Sequence, residues 1–410
     1  MLPRGCPGYT RAMNQADLDV VLVSAARTPI GALGGALAPL AAPQLGAVAL
    51  QGALDRAGID AERVDHVLLG SVLQAGQGQA PARQAARKAG LPDATPAVTV
   101  NKICGSGLET IIQGARALLV GDATLVAAGG MESMSNAPYL LPGARSGLRL
   151  GHGSVQDSVI LDGLWDPYDD VHMGGCAEAC AREYHFTREQ QDAFAERSYR
   201  RAQAATENGD AAREIVPVDV PGRKGAVTRV EHDEGPQAVN FDKMPTLRPA
   251  FETDGTITAA NASTINDGAA AVLLTTRAHA QANDWPILAR IAGWANHAQA
   301  PLWFTTAPIG AMRTLFERTG WQPSDVDRYE INEAFSVVTM AAMQAFDLPD
   351  EKVDVYGGAV SLGHPIGASG TRIVVTLLNA LQSAGGGKGV AAICIGGGEA
   401  LALAIETEPS

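Results

Sequence analysis

The chain has 410 residues, of which 46% are apolar, 18% charged and 5% aromatic, with a formal charge of −13. That length predicts two or three domains, and the composition is that of a globular enzyme rather than a disordered chain. The acidic balance argues against a broadly basic nucleic-acid surface, and no apolar run reaches the roughly 18 to 20 uncharged residues that span a bilayer. The 5 cysteines, odd in number and widely spaced, fit free thiols in a reducing, cytoplasmic setting better than a disulfide framework.

Residues 1–17 carry Arg4 and Arg11 and no acid before Asp17, and read as a flexible N-terminal extension with Met13 as a second start. From residue 18 to 135 apolar strands alternate with helical stretches. Val20–Ser24, Val67–Gly70, Ala97–Val100 and Leu125–Ala128 are short, apolar and bounded by turn residues, as buried strands are. Between them Leu108, Ile111, Ile112, Ala115, Leu118 and Leu119 recur at helical spacing until Gly121 stops the run. This alternation predicts an α/β protein with mostly parallel sheets covered by helices. Residues 136–280 are richer in turns and charge, with one clear helix near 188–208, and read as an inserted loop domain.

Residues 281–410 repeat the first half. Gly58 aligns with Gly320 and Asp65 with Asp327, each 262 residues on, while Gly107 aligns with Gly370 at 263. The strand ending at Gly129-Gly130 matches the one ending at Gly396-Gly397, once a short glycine insertion at 385–387 is allowed. Three separate landmarks at a nearly constant offset indicate a duplication.

The chemistry-bearing residues cluster at the turns of these halves. Cys104 follows a strand and precedes a helix through Gly105-Ser106-Gly107, where free N–H groups and the helix dipole favour thiolate. His364, in Gly363-His-Pro-Ile-Gly367, supplies a base near the repeat counterpart of that turn, so the two turns are expected to meet across a pseudo-twofold axis. Cys394 ends the last apolar strand, before three glycines, and taken alone reads as a core cysteine. Asn332 stands at the repeat position of Gly70, where a polar side chain is ordinarily a helix N-cap. Cys176 and Cys180, four apart on a helix, lack further ligands and read as packing, and Gly222-Arg-Lys-Gly225 reads as a solvated cationic turn. No glycine-rich segment matches the dinucleotide fingerprint or the phosphate-cradling loop.

Five segments, Asn101-Lys-Ile-Cys-Gly-Ser-Gly107, Gly129-Gly-Met-Glu-Ser-Met-Ser135, Asn332-Glu-Ala-Phe335, Gly363-His-Pro-Ile-Gly-Ala-Ser-Gly370 and Cys394-Ile-Gly-Gly-Gly398, together resemble the signatures of the thiolase family. The likeness runs in order from about Val20 to Ile405. It implies a five-layered α/β/α/β/α fold from two duplicated halves, with a loop domain over the substrate, and a dimer or, more often among close relatives, a homotetramer built as a dimer of dimers. It also implies that Cys104 is the acylated nucleophile and His364 the base that activates it. Cys394 would be the second acid or base, deprotonating the methyl of the incoming acetyl-CoA. Asn332 would hold a water that, with His364, stabilises the enolate oxygen, and the N–H groups of Cys104 and Gly396 would form a second oxyanion hole.

For the CoA substrate, the resemblance places His172 and Met173 near the acyl and pantetheine end, Ser263 on the pantetheine arm and Arg223 near the adenine and ribose phosphates. Phe304 and Thr305 stand where short-chain members often carry methionine and glycine, so Trp303 and Phe304 are expected to narrow or reshape the pocket mouth. A thioester accepts a thiolate readily, and two oxyanion sites then carry much of the barrier reduction, so no metal or redox cofactor is expected. The implied activity is acetyl-CoA C-acetyltransferase, giving acetoacetyl-CoA. A longer-chain 3-ketoacyl-CoA thiolase is the alternative within the family. A non-catalytic acyl-CoA or lipid carrier is disfavoured by retention of both cysteines, His364 and Asn332, and a ketoacyl synthase would need a second histidine in place of Asn332.

Overall fold

The computed structural model describes residues 19–407, so the extension expected over 1–17 lies outside the described residues. The central sheet is built from β1 (Val20–Arg27), β2 (His66–Gly70), β3 (Ala97–Val100), β4 (Leu125–Ser133), β5 (Asn266–Thr276), β6 (Ala289–Ala298), β7 (Arg328–Ile331), β8 (Lys388–Ile395) and β9 (Glu399–Glu406). Its order is β7-β8-β9-β6-β1-β5-β4-β2-β3, and a two-residue strand, Gly31–Ala32, added against β5 makes it 10-stranded. The main helices are α1 (Ala42–Ala57), α2 (Ser106–Leu119), α3 (Met173–Glu183), α4 (Arg188–Glu207), α5 (Ala307–Thr319), α6 (Ser336–Phe346) and α7 (Ile366–Ser383).

The duplication is visible strand by strand. In the first half β2 runs parallel to β4, which pairs antiparallel with β5; in the second β7 runs parallel to β8, which pairs antiparallel with β9. The halves join where β1 pairs antiparallel with β6 at Val21 and Leu22. The sheet is thus mixed, with parallel pairing confined to β2, β3, β4, β7 and β8, rather than mostly parallel as the strand–helix alternation suggested. The last strand of the second half has no preceding crossover helix: β9 follows β8 through the tight Gly396–Gly398 turn, and a hairpin can only be antiparallel.

That turn has a counterpart in the first half. Between β4 and β5 the corresponding connection is the whole segment 134–265, so the loop domain occupies the place of a three-residue turn. The boundary expected at 136–280 is therefore corrected at its C-terminal end: 266–276 is β5, a central strand held between β1 and β4. Its apolar run Ala269–Leu274 pairs on both sides, which sequence turns and charge around it had obscured.

Alternating side chains make the layers. On β4, Leu125 and Ala127 face a cluster with Leu45, Leu50 and Ala53 of α1, while Val126 and Ala128 face Leu108, Ile111 and Ile112 of α2. On β8, Val390 and Ala392 face Met312 and Leu315 of α5, while Ala391 and Ile393 face Ile373, Val374 and Leu377 of α7. Helices α2 and α7 thus form the middle of five layers. Each fully buried leucine or isoleucine there is worth roughly 1.5–3 kcal/mol.

Glycines let the two central helices touch backbone to backbone. A Cβ on Gly107 would lie 2.7 Å from the Thr371 nitrogen, and one on Gly370 only 2.3 Å from the Leu108 nitrogen. Thr371 Oγ1 donates to the Gly107 carbonyl at 2.8 Å. The nucleophile turn and the base turn therefore meet, as the repeat predicted.

Candidate active site

Cys104 sits in the tight link from β3 to α2, directly after Ile103, whose φ of 46° is a left-handed conformation costly for a β-branched residue. Side-chain bonds hold it there: Asn101 Oδ1 accepts from the Ile103 N–H at 3.0 Å, and Ser106 Oγ donates to the Ile103 carbonyl at 2.6 Å. The sulfur faces its own N–H and that of Gly396, both positioned as hydrogen-bond donors to it. Burial nevertheless pushes the thiol up to about 11, with the nearby Glu132 charge adding to the rise. The helix terminus was expected to favour thiolate; desolvation outweighs it, so the resting nucleophile is a thiol that needs a base.

His364 is that neighbour. Its N–H donates to Asn266 Oδ1 at 3.0 Å, and its Nδ1 lies 2.6 Å from Ser369 Oγ on the first turn of α7. Ser369 Oγ also donates to the Pro365 carbonyl at 2.9 Å, which uses its single proton. Nδ1 must then be the protonated nitrogen, donating to Ser369, and Nε2 carries the free lone pair. Nε2 is buried without a protein partner. Burial, then the Arg372 charge, lowers the imidazole to about 3, so it rests neutral.

Cys104, His364 and Gly396 line one cavity of about 240 Å³, together with His172, Met173, Ser263 and Phe304. His172 caps α3, its Nδ1 accepting from the Gly174 N–H at 3.0 Å, and its ring stacks on Phe251 at 4.8 Å. Ser263 Oγ donates to the Ala334 carbonyl at 2.8 Å. Phe304 lies edge-on to Phe335 at 6.4 Å and is only 2% exposed, so it forms wall rather than mouth. Trp303 turns instead to a separate surface hollow with Tyr184 and His185, so it does not narrow the entrance as expected.

Cys394 ends β8 behind the cavity, fully buried, with its thiol raised well above the ordinary range by burial and then by the proximity of Cys104. Asn332 follows β7 and is also fully buried. It does not cap a helix: α6 begins at Ser336, after Phe335, with no side-chain cap. Its Oδ1 accepts from Arg372 Nη2 at 3.3 Å, and its Nδ2 has no protein partner. Cys176 and Cys180 pack in an apolar cluster, and among the described residues no group of three or more His, Cys, Asp or Glu is arranged to hold a metal ion.

A model of the thiolase N-terminal domain matches residues 20–278, and one of the thiolase C-terminal domain matches 285–407. The chain is a thiolase. A protein named acetyl-CoA acetyltransferase from Pseudomonas aeruginosa is 49% identical to it over 388 residues, 94% of this chain and 99% of its own. One of the same name from Cupriavidus necator is 50% identical over 389 residues, covering 95% and 99%. The crystal structure of Acat5 thiolase from Ascaris suum in complex with coenzyme A superposes with a TM-score of 0.91 at 42% identity, over 95% of this chain and 100% of that one.

Arg223 of this thiolase lies apart from the cavity, exposed at the tip of a hairpin between Val218–Pro221 and Val227–Val230. A wider groove of about 830 Å³ shares Phe251, Ala262 and Ser263 with the cavity and leads outward, and the lysine on its wall is Lys243, with Arg223 absent from the lining.

Four residues of this site escaped sequence reasoning. Glu132, at the end of β4, accepts from the N–H groups of Val72 at 2.9 Å, Leu73 at 3.2 Å and Gly367 at 2.9 Å, tying the first half to the turn that carries His364. Burial raises its carboxyl to about 7. Asn266 and Ser369 orient His364, and Arg372 holds Asn332. Glu132 and Ser369 stand inside the five thiolase-like segments, which was the available signal; Asn266 lies outside them and Arg372 just beyond one.

Proposed function

We propose that this thiolase is an acetyl-CoA C-acetyltransferase that condenses two acetyl-CoA to acetoacetyl-CoA and CoA, reversibly, through an acyl group on Cys104. One observation carries the reading: in a single cavity the Cys104 sulfur lies under two backbone donors, together with a histidine whose free nitrogen is Nε2, and the buried Cys394 behind it feels the Cys104 charge. The likeness to proteins named acetyl-CoA acetyltransferase supports the substrate.

His364 Nε2 takes the Cys104 proton as the sulfur attacks the thioester, and the oxyanion settles on the N–H groups of Cys104 and Gly396. Cys394 gives its proton to the departing CoA sulfur. Its thiolate then removes a methyl proton from the second acetyl-CoA, while the protonated His364 and a water held by Asn332 Nδ2 stabilise the enolate oxygen. The enolate carbon attacks the acyl carbon, the Cys104–carbon bond breaks, and Cys104 recovers its proton from His364. Every proton is returned, and the side chains and backbone donors named here carry the steps without a metal or redox cofactor.

The small cavity favours a short acyl group, with His172 and Met173 at the acyl end, Ser263 along the pantetheine arm and Arg223 near the adenine and ribose phosphates. A Cys104→Ala protein is expected to lose exchange of labelled CoA into acetyl-CoA; retained exchange overturns the mechanism. Acetoacetyl-CoA is expected to turn over faster than longer 3-ketoacyl-CoA substrates, and the reverse order would make it a longer-chain enzyme. The buried free thiols support a reducing, cytoplasmic setting, and no helix among the described residues is long and apolar enough to cross a membrane. The exposed Leu148, Leu150, Val155 and Tyr168 support a homotetramer in which this segment meets a second copy, which sedimentation at graded concentration tests.

A further inference from the structure

Asn332 can serve the enolate only if its amide points one way, and the chain contains a device that sets it. Arg372 is 2% exposed on α7, one helical turn beyond Ser369. Its Nη1 donates to Glu330 Oε2 at 3.0 Å and its Nη2 to Asn332 Oδ1 at 3.3 Å. A guanidinium has donors and no acceptor, so the amide atom facing it has to be oxygen. The other amide atom, Nδ2, is then turned away from Arg372, and it is buried without a protein partner.

Ser369 and Arg372, three apart on one helix, share a face. One fixes which nitrogen of His364 carries a proton, and the other fixes which end of Asn332 donates. We infer that Arg372, anchored by Glu330, is a positioning residue for carbon–carbon bond formation: it locks the Asn332 amide with Nδ2 toward the enolate oxygen. Arg372 does not line the substrate cavity, so it touches no substrate; it holds Asn332, and its charge also bears on the His364 imidazole. The inference rests on the enolate role given to Asn332 above.

The two half-reactions separate it from a structural role. Exchange of labelled CoA into acetyl-CoA needs Cys104 acylation alone, whereas condensation also needs the enolate. The double variant Arg372→Met/Glu330→Gln removes the grip together with the carboxylate that Arg372 pairs with, although the buried Glu333 and Asp354 also lose its charge. It is expected to lower the ratio of condensation to CoA-exchange rates about 100-fold, the scale of one oxyanion donor, with KM changed by less than about 3-fold, since loss of the Arg372 charge at His364 bears on both half-reactions alike. Placed on an Asn332→Ala background, the same pair of changes is expected to lower that ratio no further.

Equal losses in both half-reactions, or a ratio that falls further on the Asn332→Ala background, overturn the role of Arg372 while leaving the proposed mechanism standing. An Asn332→Ala protein that condenses at the parental rate overturns the enolate role of Asn332 itself, and the inference with it. Should the double variant not fold, Arg372→Lys decides, because it keeps the cation and one donor. A loss of about 10-fold confined to condensation supports the role, and an equal loss in exchange refutes it.

Discussion

Replacing Gly370 by alanine tests whether the contact between the two central helices sets the geometry of catalysis. The new Cβ would lie 2.3 Å from the Leu108 nitrogen, 2.9 Å from its Cβ and 3.1 Å from the Gly107 carbonyl carbon. Ordinary contacts need about 3.5 Å, so α2 and α7 must separate by about 1 Å, since the obstructing atoms include backbone that cannot swing aside. Overpacking of this kind costs about 1–3 kcal/mol of stability. The functional cost is larger, because Cys104 leads into α2 and His364 into α7, and a misplacement of about 1 Å between reacting groups costs about 100-fold in rate. The expected result is a modest drop in urea midpoint with a roughly 100-fold slower single-turnover acylation of Cys104. Gly121→Ala is the control: its φ of 74° makes alanine strained, but nothing lies within 4 Å, so only stability falls. A Gly370→Ala enzyme acylating at the parental rate would refute the argument.

Arg27 is buried between Glu214, at 2.6 Å, and Asp233, at 2.7 Å. Arg27→Met strands both carboxylates and is expected to cost about 3–5 kcal/mol, measured as a fall in urea midpoint; an unchanged midpoint would exclude the clamp. The Cys104 thiol rises from about 9 to about 11 on folding, so the folded chain keeps a proton that the unfolded chain loses. Stability is therefore full below pH 9 and falls by about 3 kcal/mol toward pH 11, and Cys104→Ala should lessen that slope in alkaline urea titrations. Ser369→Ala frees the His364 tautomer and should slow acylation about 10- to 100-fold with KM nearly unchanged, as rapid-quench kinetics would reveal. Phe304→Ala enlarges the cavity wall and should raise kcat/KM for a six-carbon 3-ketoacyl-CoA relative to acetoacetyl-CoA by about 10-fold or more; no change would remove Phe304 from the acyl wall.

The amino-acid sequence by itself determined the duplication, the positions of Cys104, His364, Asn332 and Cys394 at turn ends, and most strands, because apolar periodicity and glycine placement are local properties. It read the helix near 188–208 correctly, since Thr187 and Gln190 cap α4 through local bonds. What it misjudged depends on neighbours distant in the chain. Residues 266–276 look like part of a loop domain until β1 and β4 pair on either side of them. Cys104 looks like a thiolate at a helix terminus, but burial, which no local motif reports, keeps its proton on. Asn332 looks like a cap until Arg372, 40 residues away, takes its oxygen. Local sequence chose which groups are present; only packing of the two halves decided which of them are dry, which way they point and what state of charge they hold.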